Sequence, residues 1–187
     1  MAIIIASEEE FRQAISARIS ATAPSKLIDT LSGAVVTGEQ MWRALSERPG
    51  ETALNLKVGR FVIRDEDLPF IETMGTVATT LAGAGNGAAL TAAALIPAIT
   101  GLTTIGWNLW RRGLVLSRNE LAILGLLKSA DTMSSDSLLA LARGAGLNLD
   151  SKVLENILEH LTEVTTRDGT EVHLTKKENG LWRALPI

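Results

Sequence analysis

The residues able to do chemistry in this chain are few and lie in three places. Trp107 and Trp110 stand just before the pair Arg111-Arg112, the order found where indole rings sit at a lipid headgroup layer and cations reach water. Arg167, Lys176 and Lys177 form a sparse cationic set near the C-terminus, and such cations can hold phosphate oxygens by charge and hydrogen bond. Asp65-Glu66-Asp67 is the third group. It lacks the spaced oxygen ligands of a calcium loop and reads as the acidic start of a helix, with Asp67 as its N-cap. His160 and His173 belong to no metal-binding motif and read as surface residues.

Enzymatic signatures do not occur. The sequence has no Gly-x-x-x-x-Gly-Lys phosphate loop, no Gly-x-Ser-x-Gly elbow and no His-Glu-x-x-His helix. It also has no cysteine, which removes thiolate nucleophiles, disulfides and cysteine metal sites. No catalytic residue, cofactor or metal is assigned, and the chain reads as non-enzymatic.

The elements that must position these residues are organised around one stretch. From Thr73 to Trp110 there are 38 residues without Asp, Glu, Lys, Arg or His, in a chain that is 21% charged overall. Gly83-Ala84-Gly85-Asn86-Gly87 divides it, since glycine and asparagine supply turn conformations. The first arm, Leu68 to Ala82, is too short to span a bilayer. The second, Ala88 to Trp110, has 23 residues, enough at about 1.5 Å per residue to cross a hydrocarbon core of roughly 30 Å. Its length and its Trp-Arg edge favour lipid. Its wealth of Ala, Thr and Gly, with Pro97 and Asn108, favours the centre of a helical bundle, where small side chains let helices approach closely. The sequence leaves both environments open.

The flanks are polar. The net charge of −3 divides as −3 over residues 1–72, +2 from Arg111 and Arg112, and −2 over residues 118–187. No segment is basic, which disfavours nucleic acid as a partner. With only 4% aromatics and no tyrosine, the core must be aliphatic, which suits helices. Ala2 to Ala6 is apolar but lacks a positive leader and meets Glu8-Glu9-Glu10 at once, so it does not read as a signal peptide. The chain is expected in the cytoplasm, at the inner face of a membrane if the uncharged stretch meets lipid.

Ser7-Glu8-Glu9-Glu10 is a capping box that opens an amphipathic helix carrying Phe11, Ala14, Ile15 and Ile19. A short helix over Lys26 to Ser32 follows. Thr37-Gly38-Glu39-Gln40 reads as a second box, opening another helix that stops at Pro49-Gly50. Ala53 to Val58 and Arg60 to Arg64 alternate around Gly59 as a hairpin. Beyond the uncharged stretch, Ser117-Arg118-Asn119-Glu120 caps a helix, a second runs from Ser135 to Arg143, and Asp150 caps a third in which Val153, Leu154, Ile157, Leu158 and Leu161 share a face. Val164-Thr165-Thr166 and Glu171-Val172-His173-Leu174 then flank the turn Arg167-Asp168-Gly169. Trp42 and Trp182 read as core or domain-packing residues.

Three helices followed by a wing, over about residues 118–183, resemble the winged-helix domains of MarR-type regulators. That resemblance implies DNA reading by the third helix and phosphate contacts from the wing, here Arg167, Lys176 and Lys177. The third helix departs from it, because Glu155, Glu159 and Glu163 outweigh Lys152 and would repel phosphates. The expectation is therefore a mainly α protein with small β-hairpins in three parts. Residues 1–67 form a helical module with a hairpin, 68–112 an apolar helical hairpin, and 117–187 a winged-helix-like domain that docks protein. The leading function is a membrane-associating or oligomerising protein, with a lipid membrane, a protein or a second copy as partner. The rival is a DNA-binding regulator or adaptor whose apolar hairpin is core or dimer interface.

Overall fold

In the computed structural model, which describes residues 3–5, 7–19, 25–46, 61–85 and 92–186, the uncharged stretch forms two helices that spend their apolar faces on protein. The first, α3 (Leu68–Gly85), buries Phe70, Ile71, Met74, Val77, Ala78 and Leu81, and the second, α4 (Ala92–Arg111), buries Leu95, Ala98, Ile99, Leu102, Ile105 and Leu109. Both sets recur at three- and four-residue intervals, one face of a helix. Beyond Glu72, the opposite face of α3 is largely threonine. Thr73, Thr76 and Thr80 donate their hydroxyls to the carbonyls of Pro69, Glu72 and Thr76 in the preceding turn, which satisfies them locally.

Among the described residues no helix is long and apolar enough to cross a membrane. This corrects the expected span from Ala88 to Trp110. The described helix starts at Ala92, its hydropathy is diluted by Ala, Thr and Gly, and its neighbours are α2 (Ser25–Ser46), α3 and α5 (Arg118–Lys128). Two glycines permit this close packing. A Cβ at Gly38 of α2 would lie 2.8 Å from Trp107 Cδ1, and one at Gly125 of α5 would lie 2.7 Å from Leu81 Cδ1.

Helix α2 also corrects the sequence reading. One helix of 22 residues stands where two were expected. Thr37 does not cap; its hydroxyl donates to Gly33 O at 2.9 Å within the continuing helix. Gln40, the expected partner of Thr37, lies within the same continuing helix, and the neighbouring Glu39 is buried with its carboxylate engaged by α4. Ahead of α2, α1 (Glu8–Ser16) has the expected cap, with Ser7 Oγ and the Glu10 side chain each accepting the other's backbone N–H. The hairpin expected over residues 53–64 lies mostly outside the described residues. Its last part, β2 (Phe61–Ile63), pairs antiparallel with β1 (Ile3–Ile5) in the register Ile3 to Ile63.

Three capped helices follow α4. Ser117 and Glu120 form the box that opens α5, Ser134 caps α6 (Ser135–Gly144), and Asp150 caps α7 (Ser151–Thr162) by accepting Val153 N–H at 2.8 Å. Helix α7 buries Leu154, Leu158 and Leu161 but leaves Val153, expected on the same face, exposed. Two hairpins replace the single expected one. The first pairs β3 (Val164–Thr165) with β4 (Glu171–Val172), and the second pairs β5 (Thr175–Glu178) with β6 (Leu181–Ala184). Asn179 and Gly180 turn the second with φ of 52° and 80°, the conformation that favours Asn-Gly in two-residue hairpins. Met133 joins its edge, exchanging two backbone hydrogen bonds of 2.8 Å with Trp182. One buried cluster runs from Phe11 through α2 to α7 and on to Trp182, so the three expected parts share a core.

Candidate functional site

Spacing on α4 puts Trp107, Trp110 and Arg111 on one face, at intervals of three and four residues. That face turns inward. Arg111 Nη2 donates to Glu39 Oε2 at 2.9 Å, and Nη1 lies 3.2 Å from Asp67 Oδ2, with the arginine side chain 9% exposed and the carboxylates 8% and 2%. Trp107 Nε1 donates to the same Glu39 oxygen at 3.1 Å, and Trp110 Nε1 to Asp67 Oδ1 at 3.1 Å. The backbone N–H of Arg64 completes Asp67 at 2.9 Å. The Arg111 guanidinium carbon stands 4.6 Å from the Trp107 ring centre, and Phe70 packs on both indoles at 5.6 and 5.7 Å between centroids.

Two buried carboxylates against one guanidinium would be costly without further donors. The two indole N–H groups and the Arg64 amide supply them to the carboxylates, and in a low-dielectric interior such hydrogen bonds are strengthened. The knot ties α2, the short 3-10 turn Asp65–Asp67 and α4 together. Trp107, expected beside lipid headgroups, is thus fully buried in protein, and Trp110 is half-buried. Asp67, expected as the N-cap of the helix that follows, is a buried acceptor for Arg64, Trp110 and Arg111.

Arg112, the next residue, has the opposite fate. Helix α4 stops in a Schellman motif, with Gly113 N–H on Trp110 O and Leu114 N–H on Leu109 O, both at 2.9 Å. Gly113 takes φ of +80°, and a Cβ there would lie 2.8 Å from Arg167 Cβ and 3.1 Å from Arg167 Nε. The Arg167 side chain therefore lies across the Gly113 backbone. Arg167 N–H also donates to Arg112 O at 3.2 Å, which welds the end of α4 to the β3–β4 turn.

Above this weld opens a basin of about 840 Å³, lined by Arg64, Glu66, Arg112, Arg167 and Asp168 with Trp110 and Val115 as apolar wall. Arg64 pairs with Glu66 at 3.0 Å. That hydrogen bond, with the fields of Glu66, Asp67 and Glu39, raises the Arg64 pKa against a smaller opposing effect of burial. Asp168 accepts from the Thr166 hydroxyl and from Thr170 N–H. Those bonds and the nearby Arg112 hold its carboxyl below the ordinary range. The side chains of Arg112 and Arg167 themselves make no hydrogen bond or ion pair among the described residues.

The cationic set of the C-terminal region is divided. Arg167 joins Arg112, whereas Lys176 and Lys177 stand on β5, where Lys176 pairs with Glu178 at 2.8 Å and Lys177 Nζ lies 5.2 Å from the Trp182 ring centre. Trp182 is buried and donates to Ser135 Oγ at 3.1 Å; the Trp42 side chain lies outside what the structure describes. On α7, Glu155, Glu159 and Val153 are exposed, and Glu163 follows the helix end, also exposed. His160 Nδ1 meets Glu120 Oε1 at 2.6 Å, joining α7 to the cap of α5, and His173 Nδ1 meets Thr162 O at 2.6 Å.

Sequence reasoning missed Glu39, Arg64 and Asp168 as site residues. Glu39 carried one usable signal, a carboxylate next to a glycine within a helical apolar run. No known family model matches the chain, and no curated protein or solved structure matches it either.

Proposed function

We propose that this chain is a non-enzymatic docking protein whose C-terminal half is a winged-helix-type module that holds a basic segment of a protein partner on the exposed face of α7. The order α5, Met133, α6, α7, β5, β6, with Met133 bridged to Trp182, supports the winged-helix reading. The observation that carries the function is the charge of the helix that would read DNA in such a module. Glu155 and Glu159 project to solvent one turn apart with Glu163 just beyond, beside exposed Val153. Acidic side chains there repel phosphates and attract Lys or Arg. Lys176 and Lys177, the wing cations, are engaged by Glu178 and Trp182.

The test is a titration at physiological salt with a Lys/Arg-rich peptide containing an apolar anchor, set against a DNA duplex of similar length. The peptide is expected to bind and the duplex not to. The double charge reversal Glu155→Lys/Glu159→Lys should abolish peptide binding, while Glu8→Lys/Glu9→Lys on α1 should not. A submicromolar, competitor-resistant complex with a defined duplex would replace this reading by the DNA-binding one.

A further inference from the structure

Independently of α7, we infer that the basin at the end of α4 is a binding site for a small phosphorylated organic molecule, with Arg112 and Arg167 as the clamp on its phosphate. Three features converge. The two arginines come from separate elements, α4 and the β3–β4 turn, and their backbones are joined by the Arg167 N–H to Arg112 O hydrogen bond. Gly113 lets the Arg167 side chain cross directly over the helix end. Among the described residues neither side chain makes a hydrogen bond or ion pair, unlike Arg111 and Arg64 in the same wall, and Arg112 has only the nearby Asp168 carboxylate. Guanidiniums held on fixed backbone and left unpaired are pre-organised for an oxyanion, because planar donor forks match phosphate oxygens.

The rest of the lining sets the ligand class. A volume of about 840 Å³ falls in the range of small-molecule sites. The Trp110 indole and Val115 offer apolar wall to an organic body, while Glu66 and Asp168 can accept from its hydroxyl or amino groups. The same two carboxylates disfavour a continuous polyphosphate backbone, so a single terminal phosphomonoester fits better than nucleic acid. A phosphate near charge −2 also suits two guanidiniums better than a monoanionic carboxylate does.

Calorimetric titration of the full chain tests this with four probes: inorganic phosphate, adenosine 5′-monophosphate, glucose 6-phosphate and unphosphorylated adenosine. At least one of the two phosphomonoesters should bind with Kd below about 1 mM, and at least tenfold tighter than inorganic phosphate and adenosine. Arg112→Ala and Arg167→Ala should each weaken it by roughly tenfold or more, since hydrogen bonds to charged groups are worth that much, with unchanged thermal melts. Arg167→Lys should restore only part, keeping charge but losing the fork. Three results would overturn the inference: no phosphomonoester bound, undiminished binding by the Arg112→Ala/Arg167→Ala double variant, or inorganic phosphate bound as tightly as the esters. Binding of a phosphopeptide while both small esters are ignored would also overturn it, assigning the basin to a macromolecule.

Discussion

Arg111 and Arg112 are adjacent, share a side-chain type and sit at the same helix end, yet one belongs to the buried knot and the other to the open basin. A helix turns about 100° per residue, so neighbours at the rim of a buried face point to different solvents. Arg111 points at Glu39 and Asp67 and is 9% exposed. Arg112 lines the basin together with Arg167, whose backbone N–H its carbonyl accepts. The comparison teaches that the charge boundary at the end of the uncharged stretch is an internal seam in this fold. The cations that resembled a lipid-facing edge are divided between holding α4 to α2 and facing the basin.

Substitutions can sharpen or break that contrast. Arg111→Ala should have the largest effect, about 3 to 5 kcal/mol of lost stability, because it leaves two buried carboxylates without their cation. Chemical denaturation would measure it, and a loss below about 1 kcal/mol would mean that the knot behaves like a surface pair. Gly38→Val comes next at roughly 1 to 3 kcal/mol, since the new side chain meets Trp107 where a Cβ alone is already at 2.8 Å; near-UV circular dichroism should report the displaced indole. Ser117→Ala should cost about 1 kcal/mol through the cap of α5, visible as a lower melting temperature without loss of the Arg111 knot.

At the other end of the scale, Arg112→Ala should change stability by no more than about 0.5 kcal/mol, because among the described residues the side chain makes no hydrogen bond or ion pair and loses only its weak, solvent-screened attraction to Asp168. A large loss there would erase the contrast with Arg111. The smallest effect belongs to Asp168. Its carboxyl pKa is depressed in the fold by the Thr166 and Thr170 hydrogen bonds and by Arg112. A depressed folded value contributes stability that is present above the unfolded value and is lost as pH falls through the folded value. Asp168→Asn should therefore flatten the acid limb of the stability profile below the ordinary 3.8 and lower stability slightly at neutral pH, where the contribution is present, converging with the unsubstituted protein in acid, as melts across that range would show.

Local signals were legible where the physics is local. Ser7 and Ser117 cap because a hydroxyl and a glutamate three residues on satisfy each other's backbone N–H groups without help from elsewhere. Asp150 likewise caps α7 within its own turn. The box at Thr37 had the right spacing to Gln40 and failed, because α2 runs on through it and Thr37 bonds back to Gly33 O instead. Residues 174–180 were read as the end of the wing and not paired with β6, although the Asn179-Gly180 turn joining them is local; only the Met133 bridge to Trp182 lies across two helices and a hairpin.

By itself the sequence determined the capped helices, the aliphatic face of α7 apart from Val153, and the presence of an uncharged centre needing an apolar surrounding. Hydrophobic periodicity and capping are written in neighbouring residues, so they survive without a tertiary frame. Only the tertiary structure decided what that surrounding is and which arginine is free. Burial of Trp107 depends on Gly38 in another helix, and the basin depends on Arg167 reaching Gly113 across a chain separation that no local pattern encodes.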